Sequence, residues 1–374
     1  MVLILFFIQL LILCLTITPL SAAQADSEAH WLRPVPNQGV EIPAPQHCGL
    51  CHANKLSQWS GSRHAMAFSP GLAGQLLNSS EDEVKECLNC HAPLAEQQKN
   101  VLSQNKKSSH PSKYGVFCAA CHLRQGQLIT PGKFSKKEAH PKQKSVPWLQ
   151  ESRFCAPCHQ FPQSYAINGK PLENTLHEWQ SSRFAQQGIT CQKCHMPQGQ
   201  HLFRGIHNQE MVRKGVTITI KKSNKKAVLT LRSTGVGHNL PTYIVPKIVL
   251  TGQLFDQNGK KIAASLRNKT VQRVVEYSDN GWQEISDSRL EPGESISISV
   301  PWRVGKLIGN KIHFKIVVDP DKYYIDNVYK PLLTGPDGLA KKNIKQADRT
   351  ARGNTYILYE KIVEQQTTTN PDMS

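Results

Sequence analysis

The pattern Cys-x-x-Cys-His occurs five times between residues 48 and 195, and this constrains the chain more than any other feature. Two cysteines three positions apart on a helical turn lie on the same side, and the histidine follows directly. This geometry suits two thioether bonds to porphyrin vinyl groups, with the imidazole directed at the iron. We therefore predict five covalent haem c groups. Their attachment cysteines are Cys48, Cys51, Cys87, Cys90, Cys118, Cys121, Cys155, Cys158, Cys191 and Cys194, and their proximal iron ligands are His52, His91, His122, His159 and His195.

A single Cys-x-x-Cys pair also occurs in zinc sites and in redox-active dithiols. Here every copy is followed by histidine, and of the 11 cysteines in the chain only Cys14 lies outside the motifs. This distribution favours haem attachment and leaves no thiols for a disulfide framework.

An apolar run over residues 2–15 precedes the small residues Ser21 to Ala25, as in a secretory signal, so we assign residues 1–25 to a signal peptide. No Lys or Arg precedes the run, and this leaves an uncleaved membrane anchor over residues 2–20 as the alternative. Haem c is attached outside the cytoplasm in bacteria. The predicted location is therefore the periplasm, either free or membrane-anchored.

Residues 26–211 are predicted to form the haem domain, with short helices and loops wrapped around haems that supply most of the buried apolar surface. Ser80 and Glu83 form a capping-box pattern before Cys87, and Thr175 and Glu178 form another. A short repeat relates the segment that starts at Trp59 to the one that starts at Trp179. It indicates either a recurring packing element or a duplicated haem-binding unit.

Residues 212–374 show alternating apolar patterns separated by turn signals such as Asn258-Gly259 and Pro292-Gly293. The predicted fold class is therefore α, packed around haem, followed by an all-β immunoglobulin-like sandwich. Strands are expected at 216–220, 227–231, 244–254, 271–277, 295–300, 311–318 and 355–363.

Ten of the 15 histidines lie outside the motifs and are candidates for the distal position on each iron. His64 is the first candidate because it follows a motif on a predicted helix beside Trp59. His238 lies in a loop of the second domain and would reach across the domain boundary to bind a haem iron as its distal ligand. The predicted distal ligands are His64, His177, His201, His207 and His238. His110 and His140, each before proline in a lysine-rich loop, are equally compatible with solvent exposure.

The spacing Trp59-x-x-Ser62-x-His64-Ala65 and the last motif, with Met196-Pro197 behind it, resemble the multihaem cytochromes grouped around cytochrome c-554. That group is similar in haem packing to pentahaem nitrite reductase and octahaem hydroxylamine oxidoreductase. The resemblance covers roughly residues 46–207 and implies closely stacked bis-histidine haems, with His64 as a distal ligand. Nitrite reductases carry Lys in place of one motif histidine, and none of the five motifs here does so. The loop 237–242 looks like the appended domain of other bacterial multihaem cytochromes.

The formal net charge is +17, with most of the excess after residue 212. Haem propionates offset the basic residues of the first half, so we do not predict nucleic-acid binding. The predicted function is one-electron transfer between redox partner proteins, with the basic second domain steering an acidic partner or contacting anionic lipid. The alternative is an oxidoreductase in which one five-coordinate haem acts on a small nitrogen or sulfur species.

Overall fold

The computed structural model describes residues 42–103, 110–124, 126–132, 140, 143–279 and 281–365. The predicted signal peptide, the alternative anchor at residues 2–20, Cys14 and His30 lie outside the described residues.

The haem-motif region consists of short helices joined by loops. The helices are α1 (Pro45–Gly49), α2 (Ala53–Ser60), α3 (Pro70–Leu76), α4 (Glu81–His91), α5 (Ala95–Gln98), α6 (Cys118–His122), α7 (Ala156–His159), α8 (Thr175–Gln180), α9 (Arg183–Gln186), α10 (Cys191–His195) and α11 (Gln209–Gly215). Short 3-10 turns occur at Pro111–Tyr114, Pro147–Gln150, Ser152–Phe154, Gln163–Tyr165 and Pro197–Gly199. The strands here are also short: β1 (Leu123–Arg124), β2 (Gln127–Thr130), β3 (Gln143–Ser145), β4 (Ala166–Ile167) and β5 (Lys170–Pro171).

One of the two predicted capping boxes is present. The Ser80 hydroxyl accepts from the Glu83 N–H, and the Glu83 carboxylate accepts from the Ser80 N–H at 2.8 Å, so α4 begins where the pattern predicts. The box predicted at Thr175 and Glu178 was wrong. Helix α8 does start at Thr175, but the Glu178 side chain bonds to groups of the second domain instead.

Apolar clusters in the haem-motif region are small. One gathers Trp59, Leu94 and Phe117, and another gathers Leu76, Val84 and Leu88. The protein side chains alone therefore form only local packing units around the motifs. A single larger core lies in the second half of the chain.

After residue 215 the chain forms mainly antiparallel strands: β6 (Val216–Lys222), β7 (Lys226–Ser233), β8 (Lys247–Phe255), β9 (Arg267–Val271), β10 (Arg273–Ser278), β11 (Gly281–Asp287), β12 (Ser295–Pro301), β13 (Arg303–Val304), β14 (Leu307–Ile308), β15 (Lys311–Asp319) and β16 (Tyr356–Glu364). One sheet has the order β12-β7-β6 and another the order β16-β15-β8-β9. Alternate side chains of both, such as Leu229 and Ile298 from the first and Leu250 and Phe314 from the second, share one core. The predicted combination of a helical haem region with an all-β region is confirmed.

A helical segment between β15 and β16 adds to the predicted strands. It comprises a π-helix (Tyr324–Tyr329), α12 (Lys330–Leu333) and α13 (Leu339–Gly353). Helix α13 packs on α3 of the haem-motif region through glycines. A Cβ atom at Gly74 would lie 2.9 Å from Ile344, so only glycine permits this approach. Within the described ranges, every helix is too short or too polar to cross a bilayer.

Candidate haem-binding sites

Each Cys-x-x-Cys-His motif lies on or at the end of a short helix. In α4, α6 and α10 the motif histidine is the last helical residue. In the first motif, Cys48 lies in α1, and Cys51 and His52 follow in the turn before α2. The ten motif thiols are free. The local geometry therefore matches what thioether attachment of one porphyrin per motif requires.

Four of the five motif histidines face a second histidine ring. The centroid separations are 6.2 Å for His52 and His140, 6.2 Å for His64 and His159, 6.1 Å for His122 and His201, and 6.3 Å for His195 and His238. An imidazole nitrogen lies about 2 Å from a metal that it binds, so two rings sharing one metal have centroids roughly 6 Å apart. Each pair therefore has the spacing that accommodates an iron ion between two imidazoles.

Backbone carbonyls orient several of these rings. Nδ1 lies 2.8 Å from the Ala67 oxygen in His91, 3.0 Å from the Ile129 oxygen in His122, and 2.6 Å from the Arg204 oxygen in His195. On the facing side, His238 Nδ1 lies 2.8 Å from the Asn239 oxygen. Because an Nδ1–H that donates to a carbonyl leaves the lone pair on Nε2, these contacts select the tautomer that binds a metal through Nε2.

Burial lowers the pKa of the imidazoles in three of the four pairs. It lowers the pKa of His64 to about 3, aided by the nearby His159 and His195, and that of His238 to about 4. It also lowers the pKa of His159 to about 4, with contributions from the nearby His195 and His91. A neutral imidazole is the form that binds iron.

The structure separates the five predicted distal histidines into two groups. His64, His201 and His238 each face a motif histidine. His207 lies elsewhere, with Nε2 3.0 Å from Asp321 Oδ1. His177 lies exposed on α8, where its backbone N–H donates to Gln160.

Two positions at the candidate sites were not singled out by the sequence. His140, which the sequence left open as a solvent-exposed residue, has its ring nearly parallel to that of His52, with an interplanar angle of 11°. Phe203 lies 4.4 Å from the His64 ring and 5.9 Å from the His201 ring, centroid to centroid, and so packs between two of the facing histidines. Its φ of 45° is unusual for a residue other than glycine. The sequence offered no signal for Phe203.

His91 of the second motif differs from the other four. Among the described residues, no second imidazole stands opposite its ring. Buried ionisable groups lie near this motif instead. Burial raises the pKa of Glu173 to about 8, with a contribution from Cys90, and raises that of Tyr324 to about 12, with a contribution from Cys87.

Thiol contacts join motifs that are distant in the sequence. The thiol of Cys48 lies next to that of Cys118, Cys90 next to Cys158, and Cys155 next to Cys191. The first motif therefore adjoins the third, and the fourth adjoins both the second and the fifth. The pKa of Cys158 is raised by the neighbouring Cys90 thiol, by burial, and by nearby charges that include Cys121 of the third motif.

The short repeat has the same hydrogen-bonding role in both copies. Trp59 Nε1 donates to the Val116 carbonyl at 2.8 Å, and Trp179 Nε1 donates to the Ile189 carbonyl at 2.9 Å. Each acceptor lies two residues before the first cysteine of a motif. The repeat thus anchors the backbone that enters the third and the fifth motif. Only the first copy carries a facing histidine, His64, where the second has Phe184.

Comparisons with known proteins agree with this architecture. Residues 47–123 match the family described as cytochrome c554 and c-prime. The fold matches the crystal structure of a penta-haem cytochrome c552 from Thermochromatium tepidum with a TM-score of 0.63 and 18% identity, over 88% of this chain and 100% of that chain. No curated protein sequence matches significantly. Residues 47–123 of the chain are therefore similar to the cytochrome c554 and c-prime family, and the chain as a whole shares its fold with a penta-haem cytochrome c552.

Proposed function

We propose that the chain binds five haems c and transfers electrons one at a time outside the cytoplasm, with four of the irons held between two histidines. The single observation that carries the proposal is the set of four facing histidine pairs with centroid separations of 6.1 to 6.3 Å. The haem irons supply reversible one-electron chemistry when bound. An iron with two imidazole ligands has no open position for substrate, and so is suited to electron exchange.

The chain's own residues prepare these sites. Carbonyl oxygens fix the tautomers of several rings, burial favours the neutral imidazole in three of the four pairs, and Phe203 packs against two of the facing rings. The proximity of motif thiols supports an electron-transfer route from the first motif to the third and on to the fourth. The fourth motif also adjoins the second and the fifth.

The test uses full-length protein matured in a host that attaches haem c. Haem is quantified against protein, and the ferric protein is examined by electron paramagnetic resonance (EPR). We expect five haems per chain and low-spin signals from four of them. Fewer than five haems per chain, or a mainly high-spin spectrum, would contradict the proposal.

Redox partner proteins and a periplasmic location are part of the same proposal. The excess of Lys and Arg after residue 212 supports docking of an acidic partner through the second domain, since opposite charges accelerate encounter. The corresponding test measures the rate of electron transfer to an acidic acceptor protein at increasing ionic strength. A rate that does not fall with salt would argue against electrostatic docking.

A second candidate function is supported by the environment of His91. If no other residue completes this iron, its open position would bind a small nitrogen or sulfur species, and the buried Glu173, Tyr243 and Tyr324 lie in the same electrostatic neighbourhood. Nitrite, hydroxylamine and sulfite are added separately to the ferric and ferrous protein. A high-spin ferric signal of one haem that shifts with one of these compounds would favour the oxidoreductase. A fully low-spin spectrum would exclude it.

A further inference from the structure

The loop that carries His238 is held from both sides of the domain boundary. On the side of the second domain, Leu240 forms two backbone hydrogen bonds with Leu290, at 2.8 Å and 3.0 Å. On the side of the haem-motif region, Glu178 Oε2 accepts from the Asn239 N–H at 3.1 Å and from the Thr242 hydroxyl at 2.7 Å. Oε2 of Glu178 thus binds the loop at Asn239 and Thr242, which lie one and four residues after His238.

The other oxygen of the same carboxylate is bound by Arg289. Arg289 Nη1 lies 2.9 Å from Glu178 Oε1 and also donates to the Thr242 carbonyl at 2.8 Å. Its Nε and Nη2 donate to the two carboxylate oxygens of Asp287 at 2.9 Å and 2.8 Å. The Arg289 and Glu178 side chains are 0% and 6% exposed, so solvent does not compete for these bonds.

The same contacts constrain where the His238 ring can lie. Gly237 packs against α8 and α9, since a Cβ atom at this position would lie 3.3 Å from Trp179 and 3.4 Å from Phe184. His238 is therefore flanked by a residue packed on Trp179 and by residues bonded to the neighbouring Glu178. This arrangement places its ring nearly parallel to that of His195, with an interplanar angle of 10°.

We propose that Glu178 and Arg289 are positioning residues that hold the loop 237–242 of the second domain so that His238 stays opposite His195. The inference rests on the proposed function, in which His238 completes the iron of the fifth motif. It assigns the interdomain ion pair a part in haem coordination in addition to domain cohesion. Loss of the Glu178 charge releases the loop. In a fraction of the molecules, the fifth haem then lacks its distal histidine.

A matched control exists in the same domain. Arg273 and Glu284 form a second buried ion pair, with Nε 2.8 Å from Oε2 and side chains 0% and 7% exposed. Arg273 also spans the boundary, donating to the carbonyls of Pro171, Ile167 and Lys170. No described hydrogen bond of this pair involves the loop 237–242, so its loss tests the general effect of breaking a buried interdomain ion pair.

The experiment compares the ferric EPR spectra of full-length holoproteins carrying Glu178→Gln, Glu284→Gln or His238→Ala. We expect His238→Ala to add one high-spin haem per chain relative to the wild type. Glu178→Gln should add at least a fifth of that signal, and Glu284→Gln should add none. Equal spectra for the two Gln variants, or no change in Glu178→Gln, would overturn the positioning role.

The His238→Ala variant tests the assignment of His238 as a ligand separately from the positioning role of Glu178. If its spectrum equals that of the wild type, the assignment of His238 as a ligand fails, and the proposed function with it. If only the Glu178→Gln spectrum is unchanged, the positioning role alone fails. Should Glu178→Gln not yield folded holoprotein, Thr242→Val removes a single hydroxyl contact to the same carboxylate. That variant must then show the partial high-spin signal for the inference to stand.

Discussion

The rings of His140 and His52 lie nearly parallel, with their centroids 6.2 Å apart and an angle of 11° between their planes. His140 follows a lysine-rich stretch and precedes a proline, a setting that is typical of an exposed loop. Its ring nevertheless faces the histidine of the first motif. The pair places His140 at the candidate site of the first motif, and this leads to the first prediction.

The change His140→Ala is expected to convert one haem from low-spin to high-spin, because the first iron would lose its second imidazole. Ferric EPR measures the change. His110→Ala is the matched control, since His110 also precedes proline but bonds to the Lys99 carbonyl and to Ser112. A spectrum of His140→Ala that equals that of the control would contradict the pairing with His52.

His201 and His207 provide a second comparison within one short segment. Removal of His201 is expected to leave the third iron with one imidazole and to add one high-spin haem. Removal of His207 leaves the spectrum unchanged, because its Nε2 contacts Asp321 at 3.0 Å. It should instead lower the free energy of unfolding by about 1 to 3 kcal/mol, since a buried hydrogen-bond partner is lost. A new high-spin signal in His207→Ala would show that the two roles had been exchanged.

The motif residues could be predicted from the sequence because the chemistry is local. Two cysteines and a histidine within five positions define an attachment site before any tertiary structure is known. Most long β strands after residue 215 were also predictable, because alternation of apolar side chains encodes the buried face of each sheet. The strands β9 and β11 were not predicted. The helical segment 324–353 was missed, since it lies between two well-defined strands and carries no strong capping signal.

The facing histidines depend on tertiary structure, and local patterns identified only some of them. His64 was recognisable beside Trp59, and His238 stood out in an unusual loop. His207 lies in the same short segment as His201. Its Nε2 nevertheless contacts the buried carboxylate of Asp321, which follows β15. The partner of Glu178 also could not be predicted from local sequence. The pattern predicted a capping box with Thr175, but in the fold the carboxylate binds Arg289 of the second domain.

Helix packing between α3 and α13 yields a third prediction. Gly74→Ala places a Cβ atom 2.9 Å from Ile344 and 3.0 Å from the Ala340 carbonyl, so the helices must separate. We expect a loss of about 1 to 3 kcal/mol in the free energy of unfolding. Gly353→Ala, at the end of α13, meets no atom within 4 Å and should be neutral or slightly stabilising. Thermal unfolding of the two holoproteins gives the comparison, and equal melting temperatures would contradict the tight contact.

The last prediction concerns the pH dependence of stability and rests on Glu173. Burial raises its pKa from the ordinary 4.5 to about 8 and outweighs the hydrogen bond from Thr175, which lowers it; the nearby Glu178 carboxylate acts in the same direction as burial. In the folded protein this carboxyl therefore keeps its proton over a pH range in which the unfolded chain has lost it. Folding takes up a proton there, and so stability falls as the pH rises.

The expected decrease begins above the ordinary pKa of 4.5 and ends near pH 8, where the folded protein also releases the proton. Its slope approaches about 1.4 kcal/mol per pH unit in the middle of that range. Haem propionates titrate over the same range, so the measurement is the difference in slope between the wild type and Glu173→Gln in chemical unfolding at several pH values from 5 to 8. The variant should show the flatter dependence.

Glu284→Gln controls for the loss of a buried carboxyl. Burial opposes the ionisation of Glu284, but hydrogen bonds from Asn168, Arg273 and Lys170 outweigh it and lower its pKa. Its contribution to stability is therefore lost only as the pH falls below the ordinary value, and between pH 5 and 8 the variant should keep the wild-type slope at a lower stability. Parallel curves for the wild type and Glu173→Gln would show that Glu173 is ionised in the folded protein, because a carboxylate that is charged in both states exchanges no proton on folding.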